Sequence, residues 1–301
     1  MSNTELIERI SKLKTERGAV ILAHNYQLPE VQDIADFAGD SLELSRKAAA
    51  TDAKVIVFCG VHFMAETAKI LSPDKTVLIP DPKAGCPMAD MINAEELREF
   101  KALHPGVPVV AYVNTTAEVK AESTICCTSA NAVRVVESVD SDTVLFVPDK
   151  SLGMYVASKV AKKVIPYSGY CPTHHRILAQ DVINAKREHP EAMVVAHPEC
   201  TFDVLKLADG IESTSGMLRW VNESSAKEII VCTERGLLHR LKLDNPEKTF
   251  YNPSPLNICP NMKKITLEKV LWSLEDMKFE IELDADVIAK ARSAIEGMIA
   301  I

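Results

Sequence analysis

The sequence has eight cysteines in 301 residues, yet no two of them are separated by two residues. This absence excludes a zinc ribbon and a ferredoxin-type motif, so any metal site must combine cysteines that are distant in the chain. No apolar run approaches the roughly 18 residues of a membrane helix. The N-terminal segment also lacks the hydrophobic stretch of a secretory signal. We therefore expect a cytoplasmic protein without a membrane partner, whose cysteines form no disulfides.

Glycine, aromatic residues and positive charge are also scarce. The 11 glycines form neither a dinucleotide-binding fingerprint nor a Walker A loop, and no Gly-x-Ser-x-Gly elbow is present. Aromatic residues make up 5% of the chain, so the core must be mainly aliphatic. A formal net charge of −8 argues against nucleic acid, which usually binds a basic face. A hydrophobic content of 47% indicates a globular enzyme.

Short aliphatic segments alternate with amphipathic segments along the whole chain. The predicted strands are Val20–Ala23, Val55–Cys59, Val77–Ile79, Val109–Val113, Val144–Val147, Val194–Ala196, Ile229–Cys232 and Thr249–Tyr251. Continuous aliphatic runs of this length are typical of parallel strands buried on both faces. The alternation predicts an α/β protein. Charged residues between the strands, such as Lys120 and Glu122, are expected on solvated faces.

Three segments of the chain align with one another. Ala23, Ala111 and Ala196 occupy the same place in three similar strands, at spacings of 88 and 85 residues. Each segment predicts a small parallel sheet between helices, and each is near the lower size limit for an independent domain. We therefore expect three similar α/β/α domains around a pseudo-threefold axis. The expected modules are residues 1–86, 87–171 and 172–259, with the tail 260–301 completing the first.

Polar residues recur at matched positions of the three modules. A hydroxyl follows the first polar residue of each module by 17 positions, in the pairs His24 and Ser41, Tyr112 and Ser129, and His197 and Thr214. Helix capping would explain each hydroxyl alone. Three converging helix N-termini would also bind an anion, such as a dicarboxylate or a phosphate. The next matched position holds Tyr26, Asn114 and Glu199, and Glu199 is predicted as the proton shuttle because it is the only carboxylate.

Each module ends in a Cys-Pro pair, at Cys86, Cys171 and Cys259. One such pair alone would be interpreted as a buried turn, but three in register favour a metal site. Three thiolate ligands leave one coordination position open, which is typical of a catalytic site. His174 and His175 follow Cys171 by three and four residues, and either of them could face this site. Cys59, Cys126, Cys127 and Cys232 are predicted core residues, and Cys200 is predicted to lie near the site without being a ligand.

The motifs that carry these residues resemble those of the quinolinate synthase family, over about residues 20–264. They are Ala-His24-Asn-Tyr26-Gln, Gly-Asp-Ser41-Leu, Gly-Val-His-Phe-Met-Ala-Glu66-Thr, Cys86-Pro-Met-Ala, Tyr112-Val-Asn114-Thr-Thr-Ala-Glu, Thr-Ser129-Ala-Asn-Ala, Val-Pro-Asp-Lys150-Ser-Leu-Gly, His197-Pro-Glu199-Cys, Glu-Ser213-Thr214-Ser and Cys259-Pro-Asn-Met-Lys-Lys. The resemblance implies three α/β/α domains and one 4Fe–4S cluster on Cys86, Cys171 and Cys259. Its fourth iron would be open to substrate as a Lewis acid.

The resemblance also implies an activity in the biosynthesis of NAD and pyridine nucleotides. The family condenses iminoaspartate (iminosuccinate) with dihydroxyacetone phosphate and releases quinolinate, phosphate and water, which makes its members transferases. The substrate would be bound by His24, Ser41, Tyr112, Asn114, Ser129, His197, Ser213 and Thr214. Glu199 would act as acid and base, together with Tyr26 and His174. The partner implied is an aspartate-oxidising enzyme that supplies the imine.

Two alternatives stay open at this point. An aconitase-like hydratase would also use an open iron but would need only one substrate. A non-catalytic iron–sulfur protein would use the cysteines as structural ligands. One position departs from the family pattern, because Arg219 occupies a place where lysine is expected more often, and the two residues bind anions differently.

Overall fold

The computed structural model describes residues 1–301, and its strands form three separate four-stranded sheets. The first sheet contains β1 (Ala19–His24), β2 (Phe37–Gly39), β3 (Val55–Cys59) and β4 (Thr76–Leu78). The second contains β5 (Val109–Tyr112), β6 (Ile125–Cys127), β7 (Thr143–Val147) and β8 (Lys163–Pro166). The third contains β9 (Met193–Ala196), β10 (Gly210–Ile211), β11 (Glu228–Cys232) and β12 (Thr249–Tyr251). All neighbouring strands are parallel, so the expected α/β fold class is confirmed.

The three sheets share one strand order and one register. In each sheet the second strand of the chain lies at the edge, followed in space by the first, third and fourth. The first strand pairs Ala23 with Ala38 and Cys59, Ala111 with Cys126 and Val147, and Ala196 with Ile211 and Cys232. The three alanines aligned in the sequence therefore occupy equivalent positions of the three sheets.

Helices connect successive strands in every repeat. They are α1 (Asn3–Arg17), α2 (Pro29–Asp33), α3 (Ser41–Ala50), α4 (His62–Leu71), α5 (Ala94–Ala102), α6 (Ala117–Ala121), α7 (Ala132–Ser138), α8 (Lys150–Ala157), α9 (Pro172–His175), α10 (Ala179–Glu188), α11 (Phe202–Leu205), α12 (Thr214–Glu223), α13 (Leu237–Asp244), α14 (Leu267–Asp276) and α15 (Ala285–Ala300). None of these helices has both the length and the apolar character required to cross a bilayer.

The helices begin and end where the local sequence requires. In α1, Ser2 and Glu5 form a reciprocal capping box at the N-terminus, and Gly18 ends the helix in the left-handed region at φ 59°. Leu6 and Ile10 are buried on one face of this helix, because residues four apart lie one above the other. The strands are buried on both faces, as all five residues of β3 show.

The last two helices pack on earlier parts of the chain. Helix α14 contacts α1 and β3, and α15 contacts α3, α4, α6 and β6. Between them the expected edge strand at 279–283 is reduced to one antiparallel bridge, between Leu78 and Glu280. Phe279 has a φ of 63°, which bends the chain away from the extended conformation that a longer strand needs.

The expectation that Lys120 is solvated is wrong. Its side chain is fully buried in α6, which lies between α4 and α15. The Nζ atom donates a hydrogen bond to the carbonyl of Thr115 and lies 5.4 Å from the centre of the Phe63 ring. Burial lowers the pKa of Lys120, although Glu66 opposes that shift. The local sequence contains no sign of the two helices that exclude water here.

Candidate active site

One cavity of about 670 Å³, its mouth included, is lined by residues that follow strands of all three sheets. Its wall contains His24, Tyr26, Ser41, Cys86, Tyr112, Asn114, Ser129, Cys171, His174, His197, Glu199, Thr214 and Cys259. Of the site residues singled out in the sequence, the wall omits only Ser213. Loops at the carboxyl ends of parallel strands gather ligand groups, and the three repeats bring theirs to the same place.

Glu199 lies in this wall, is 3% exposed, and has polar contacts with several other side chains of the wall. The Tyr112 hydroxyl donates to its Oε1 at 2.6 Å, and Nδ1 of His174 lies 2.6 Å from its Oε2. The Asn114 amide also donates to Oε1, at 3.5 Å. Burial raises the pKa of Glu199, but His174 and His197, together with the two short hydrogen bonds, lower it below its ordinary value. The carboxylate is therefore ionised at neutral pH, although it is buried.

His24 and His197 occupy equivalent positions and make the same local bond. The ring Nδ1 of His24 accepts the backbone N–H of Tyr26 at 3.1 Å, and that of His197 accepts the N–H of Glu199 at 3.3 Å. Burial lowers the pKa of each histidine to about 3, so both rings are neutral at pH 7. Since Nδ1 accepts, Nε2 carries the proton in both rings and can donate. In His197 it lies 3.2 Å from the Ser129 hydroxyl.

Tyr26 contacts His174 through the ring nitrogen that does not face Glu199. The Tyr26 hydroxyl lies 3.4 Å from Nε2 of His174, and burial raises the pKa of this tyrosine well above its ordinary value. Both groups also contact the hydroxyl of Thr233, which the sequence did not indicate. The ring of His174 stacks on His197 with centroids 4.7 Å apart. Two imidazoles, a phenol and a carboxylate are thus held within one polar wall.

Ser41 and Thr214 are the first residues of α3 and α12, but neither caps its helix. The caps are the preceding residues Asp40 and Ser213. The Ser213 hydroxyl accepts the N–H of Gly216 and donates to Asp40 at 3.3 Å, which explains why it lies outside the cavity wall. Ser41 and Thr214 both line the cavity, and the Thr214 hydroxyl accepts a hydrogen bond from the Asn25 amide at 3.1 Å. Ser129 lies in the turn that precedes α7.

The three Cys-Pro cysteines line the same cavity on three separate loops, and all eight cysteines are free thiols. Burial raises the pKa of Cys86 to about 12, and it also raises those of Cys171 and Cys259. Cys259 adds to the rise in the pKa of Cys86, and Cys86 adds to the rise in the pKa of Cys171. We call these three residues the ligand cysteines, for the role proposed for them below. Three thiols converging from three repeats fit a cluster held by three cysteines, which would bind them as thiolates.

The other five cysteines lie away from the cavity wall. Cys59, Cys126, Cys127 and Cys232 are fully buried in the strands, which confirms their prediction as core residues. Cys200 is also fully buried, and its thiol donates to the carbonyl of Cys232 at 3.4 Å. These five thiols belong to the hydrophobic cores.

A buried carboxylate missed in the sequence holds the loop of Cys259. Glu234 lines the cavity, is 1% exposed, and accepts the backbone N–H groups of Gly236 at 2.6 Å and Cys259 at 3.1 Å. Lys263 pairs with it at 3.1 Å. In the second repeat the equivalent residue is Asp149, also fully buried, whose pKa is raised by burial and lowered in part by the Cys171 backbone N–H. The repeat register contains this signal, because both residues follow the end of their third strand by two positions.

Two further side chains that the sequence left ambiguous have clear positions. His174 faces the cavity, whereas His175 stacks on Tyr170 and contacts the Ser151 hydroxyl at 2.9 Å. Arg219 is exposed on α12 and does not line the cavity. The position at which arginine stands in place of the expected lysine therefore lies outside the cavity wall.

Comparison with known proteins agrees with the resemblance noted in the sequence. The family model described as quinolinate synthetase A protein (NadA) matches residues 8–300. A quinolinate synthase from Dehalococcoides mccartyi is 60% identical over 297 residues, 98% of each chain. Quinolinate synthase 1 from Methanosarcina acetivorans is 55% identical over 301 residues, covering 100% of this chain and 99% of the relative. The quinolinate synthase from Alkaliphilus metalliredigens is 53% identical over 302 residues, 100% of both chains. The chain therefore belongs to the quinolinate synthase family.

Proposed function

We propose that this protein is a transferase that condenses iminoaspartate with dihydroxyacetone phosphate and releases quinolinate, phosphate and water. The observation that carries the proposal is the single cavity that gathers three cysteines and the Glu199 network from three repeats. Membership of the quinolinate synthase family supports the same reaction. Nothing in the cavity favours a one-substrate hydratase or a purely structural cluster protein.

The ligand cysteines would hold a 4Fe–4S cluster, with one iron that lacks a cysteine. When bound, this group supplies a Lewis acid that polarises an oxygen or nitrogen atom of the substrate. The raised pKa values of the three thiols mean that binding would release protons. The mixed set of Cys171, His174 and Glu199, with ligand atoms within 4.8 Å of one another, is the only other candidate metal group, and it shares this cavity.

We assign binding of the dicarboxylate substrate to the polar residues of the wall. The hydroxyls of Ser41 and Thr214 lie at two helix N-termini, where positive potential favours a carboxylate. The Nε2–H groups of His24 and His197 add neutral donors that need no counter-charge. The amide oxygen of Asn114 is buried without a hydrogen-bond partner, so it fits a donor on the substrate such as an imine N–H. Tyr112 and Ser129 complete the proposed set, with Ser213 supporting Thr214 from behind.

Glu199 is the proposed acid and base of the condensation and dehydration steps. An ionised carboxylate that is buried and already accepts bonds from Tyr112 and His174 can take a carbon-bound proton and later return it to a leaving hydroxyl. Tyr26 and His174 stand beside it as proton donors. The closed apolar side of the cavity, which includes Val61, Phe63 and other hydrophobic residues, would protect an imine from water.

The domain division and the cellular setting are also proposals. One sheet falls within each of the segments 1–86, 87–171 and 172–259. Contacts of α14 with α1 and β3 support a tail that completes the first segment, whereas α15 packs mainly on α6 and β6 of the second. Eight free cysteines are consistent with a reducing compartment such as the cytoplasm. The imine substrate requires an enzyme that oxidises aspartate as its supplier.

Anaerobic purification followed by a substrate assay tests the proposal. We expect quinolinate to form only when iminoaspartate and dihydroxyacetone phosphate are both present, and about four irons and four sulfides per chain. Protein that contains the cluster but gives no quinolinate would refute the proposed reaction. If the same protein hydrates a dicarboxylic acid, the aconitase-like alternative would replace it.

A further inference from the structure

Thr233 connects two proposed catalytic side chains without lining the cavity itself. Its Oγ1 lies 2.5 Å from the Tyr26 hydroxyl and 2.9 Å from Nε2 of His174, and the residue is 1% exposed. Tyr26 and His174 are 3.4 Å apart, so Thr233 is the closer partner of each. A buried hydroxyl between two polar groups fixes the positions of both, since losing either bond leaves a buried polar atom unsatisfied.

The geometry allows two hydrogen-bond directions with the same heavy-atom positions. When His174 carries its proton on Nδ1, toward Glu199, Thr233 donates to Nε2 and accepts from Tyr26. When the ring carries its proton on Nε2 instead, Nε2 donates to Thr233, which then donates to Tyr26. In either arrangement Oγ1 stays in place, and the phenol oxygen of Tyr26 stays bound to it.

These three residues come from different parts of the fold. Tyr26 follows β1 of the first sheet, His174 lies in α9, and Thr233 follows β11 of the third sheet. The Tyr26 ring has its other close aromatic contact with His24, at 4.6 Å between centroids and nearly perpendicular. The edge contact with His24 does not bind the hydroxyl, whose shortest hydrogen bond is to Thr233 of another repeat.

We propose that Thr233 is a positioning residue, which holds the Tyr26 hydroxyl toward the substrate and uses His174 as its anchor. The inference rests on the function proposed above, and it adds a residue that touches no substrate. Valine has nearly the shape of threonine but lacks the hydroxyl, so Thr233→Val removes the bridge with little change in volume. Thr233→Ser keeps the hydroxyl and loses one methyl group.

The kinetic test compares these variants as anaerobic holoenzymes. We expect Thr233→Val to lower kcat for quinolinate formation by about 10- to 100-fold, the scale of a misplaced catalytic group, while KM changes by less than about threefold. Thr233→Ser should restore kcat to within about threefold of wild type. Thr67→Val is the matched control, because Thr67 is 3% exposed and its hydroxyl bonds only to the carbonyl of Phe63. A Thr233→Val enzyme with wild-type kcat, or a serine variant as slow as the valine variant, would overturn the proposal.

A double-mutant cycle with Tyr26→Phe separates positioning from general damage. If Thr233 acts through the Tyr26 hydroxyl, the double variant is no more than about threefold slower than the slower single variant. If the fold losses in kcat of the two single variants multiplied in the double variant, the proposal would be contradicted. Melting temperatures of the same four proteins test the hydrogen bond without any activity measurement, and additive shifts would also overturn it. A wild-type enzyme that makes no quinolinate would instead refute the proposed function, and the melting cycle would still decide the role of Thr233.

Discussion

Replacing Glu234 with alanine is expected to loosen the loop that carries Cys259. The carboxylate accepts two backbone N–H groups and pairs with Lys263, whose Nζ also donates to the backbone carbonyl of Tyr26. These groups pack closely against Gly236, because a Cβ there would lie 2.7 Å from the Glu234 carboxylate and 2.7 Å from Lys263. One side chain therefore supports a ligand cysteine and the loop of a proposed catalytic tyrosine.

The magnitude follows from the groups that Glu234→Ala leaves without partners. Each buried N–H that loses its acceptor costs about 1–3 kcal/mol, and breaking a buried ion pair costs about 3–5 kcal/mol. Lys263 retains 19% side-chain exposure and can turn toward water, so these costs do not add fully. We expect the free energy of unfolding to fall by about 3–5 kcal/mol. Glu234→Gln keeps one acceptor oxygen and should lose about 1–2 kcal/mol.

Two measurements on the anaerobic holoenzyme check this prediction. Guanidinium denaturation followed by circular dichroism gives the unfolding free energy, and transfer of iron to a chelator gives the rate of cluster loss. Iron transfer should be about 10- to 100-fold faster in Glu234→Ala, because the support of a ligand loop is removed. Glu228→Ala on β11, the strand that precedes Glu234, is the control, since its carboxylate is 40% exposed and should change stability by less than about 0.5 kcal/mol. The reasoning would be refuted if Glu234→Ala had an unfolding free energy within about 1 kcal/mol of wild type and an unchanged rate of iron transfer.

Three other perturbations test the proposed site. Glu199→Gln should lower kcat by about 10²- to 10⁴-fold with the cluster retained, and a steady-state assay that finds less than a tenfold loss would exclude Glu199 as the acid and base. Serine at any ligand cysteine should abolish the brown absorption near roughly 400 nm, whereas Cys232→Ser should keep it; the reverse pattern in anaerobic spectra would reject the ligand assignment. His24 and His197 have pKa values of about 3, below the ordinary 6.5, so the stability they confer is complete above pH 6.5 and is lost as the pH falls toward 3. Asparagine at both positions should therefore flatten the fall in melting temperature between about pH 6.5 and 5, and an unaltered slope would show that other groups cause it.

The fold was predictable to the level of strand register, because buried parallel strands leave continuous aliphatic runs in the sequence. Ala23 and its two counterparts could be aligned from sequence alone, and their pairing confirms the alignment. The burial of Lys120 could not be predicted in this way. Its burial depends on α4 and α15, which are distant in the chain and leave no mark on the residues around it.

The site was predictable where the three repeats kept similar residue types. His24 and His197 share one position and one bond, so their register was readable in the sequence. Glu234 was missed because the match covers only two repeats: Asp149 is its counterpart in the second, but the first has Val61 at that position. Thr233 was missed because its role depends on a phenol from the first repeat and on an imidazole 59 residues earlier in the chain.

Single-residue details were less predictable. Ser213 caps α12 and Thr214 faces the cavity, but the sequence cannot tell a cap from the first helical residue when both are hydroxyls. Similarly, neighbouring residues of a helix point about 100° apart, so only one of His174 and His175 can face the cavity. The rotation of α9, which packing sets, decides which one.

The shared register of the three sheets gives the cavity a symmetrical frame with unequal contents. Equivalent backbone positions hold Tyr26, Asn114 and Glu199, so the first repeat offers a phenol, the second an amide and the third a carboxylate. A frame filled three times with the same side chain would present the same chemistry in three directions and could not distinguish the two ends of a substrate. With Glu199 in its proposed role, divergence of the repeats would therefore supply regiochemistry: a proton would be taken on one side of the bound molecule only, and the order in which bonds form and break would acquire a direction.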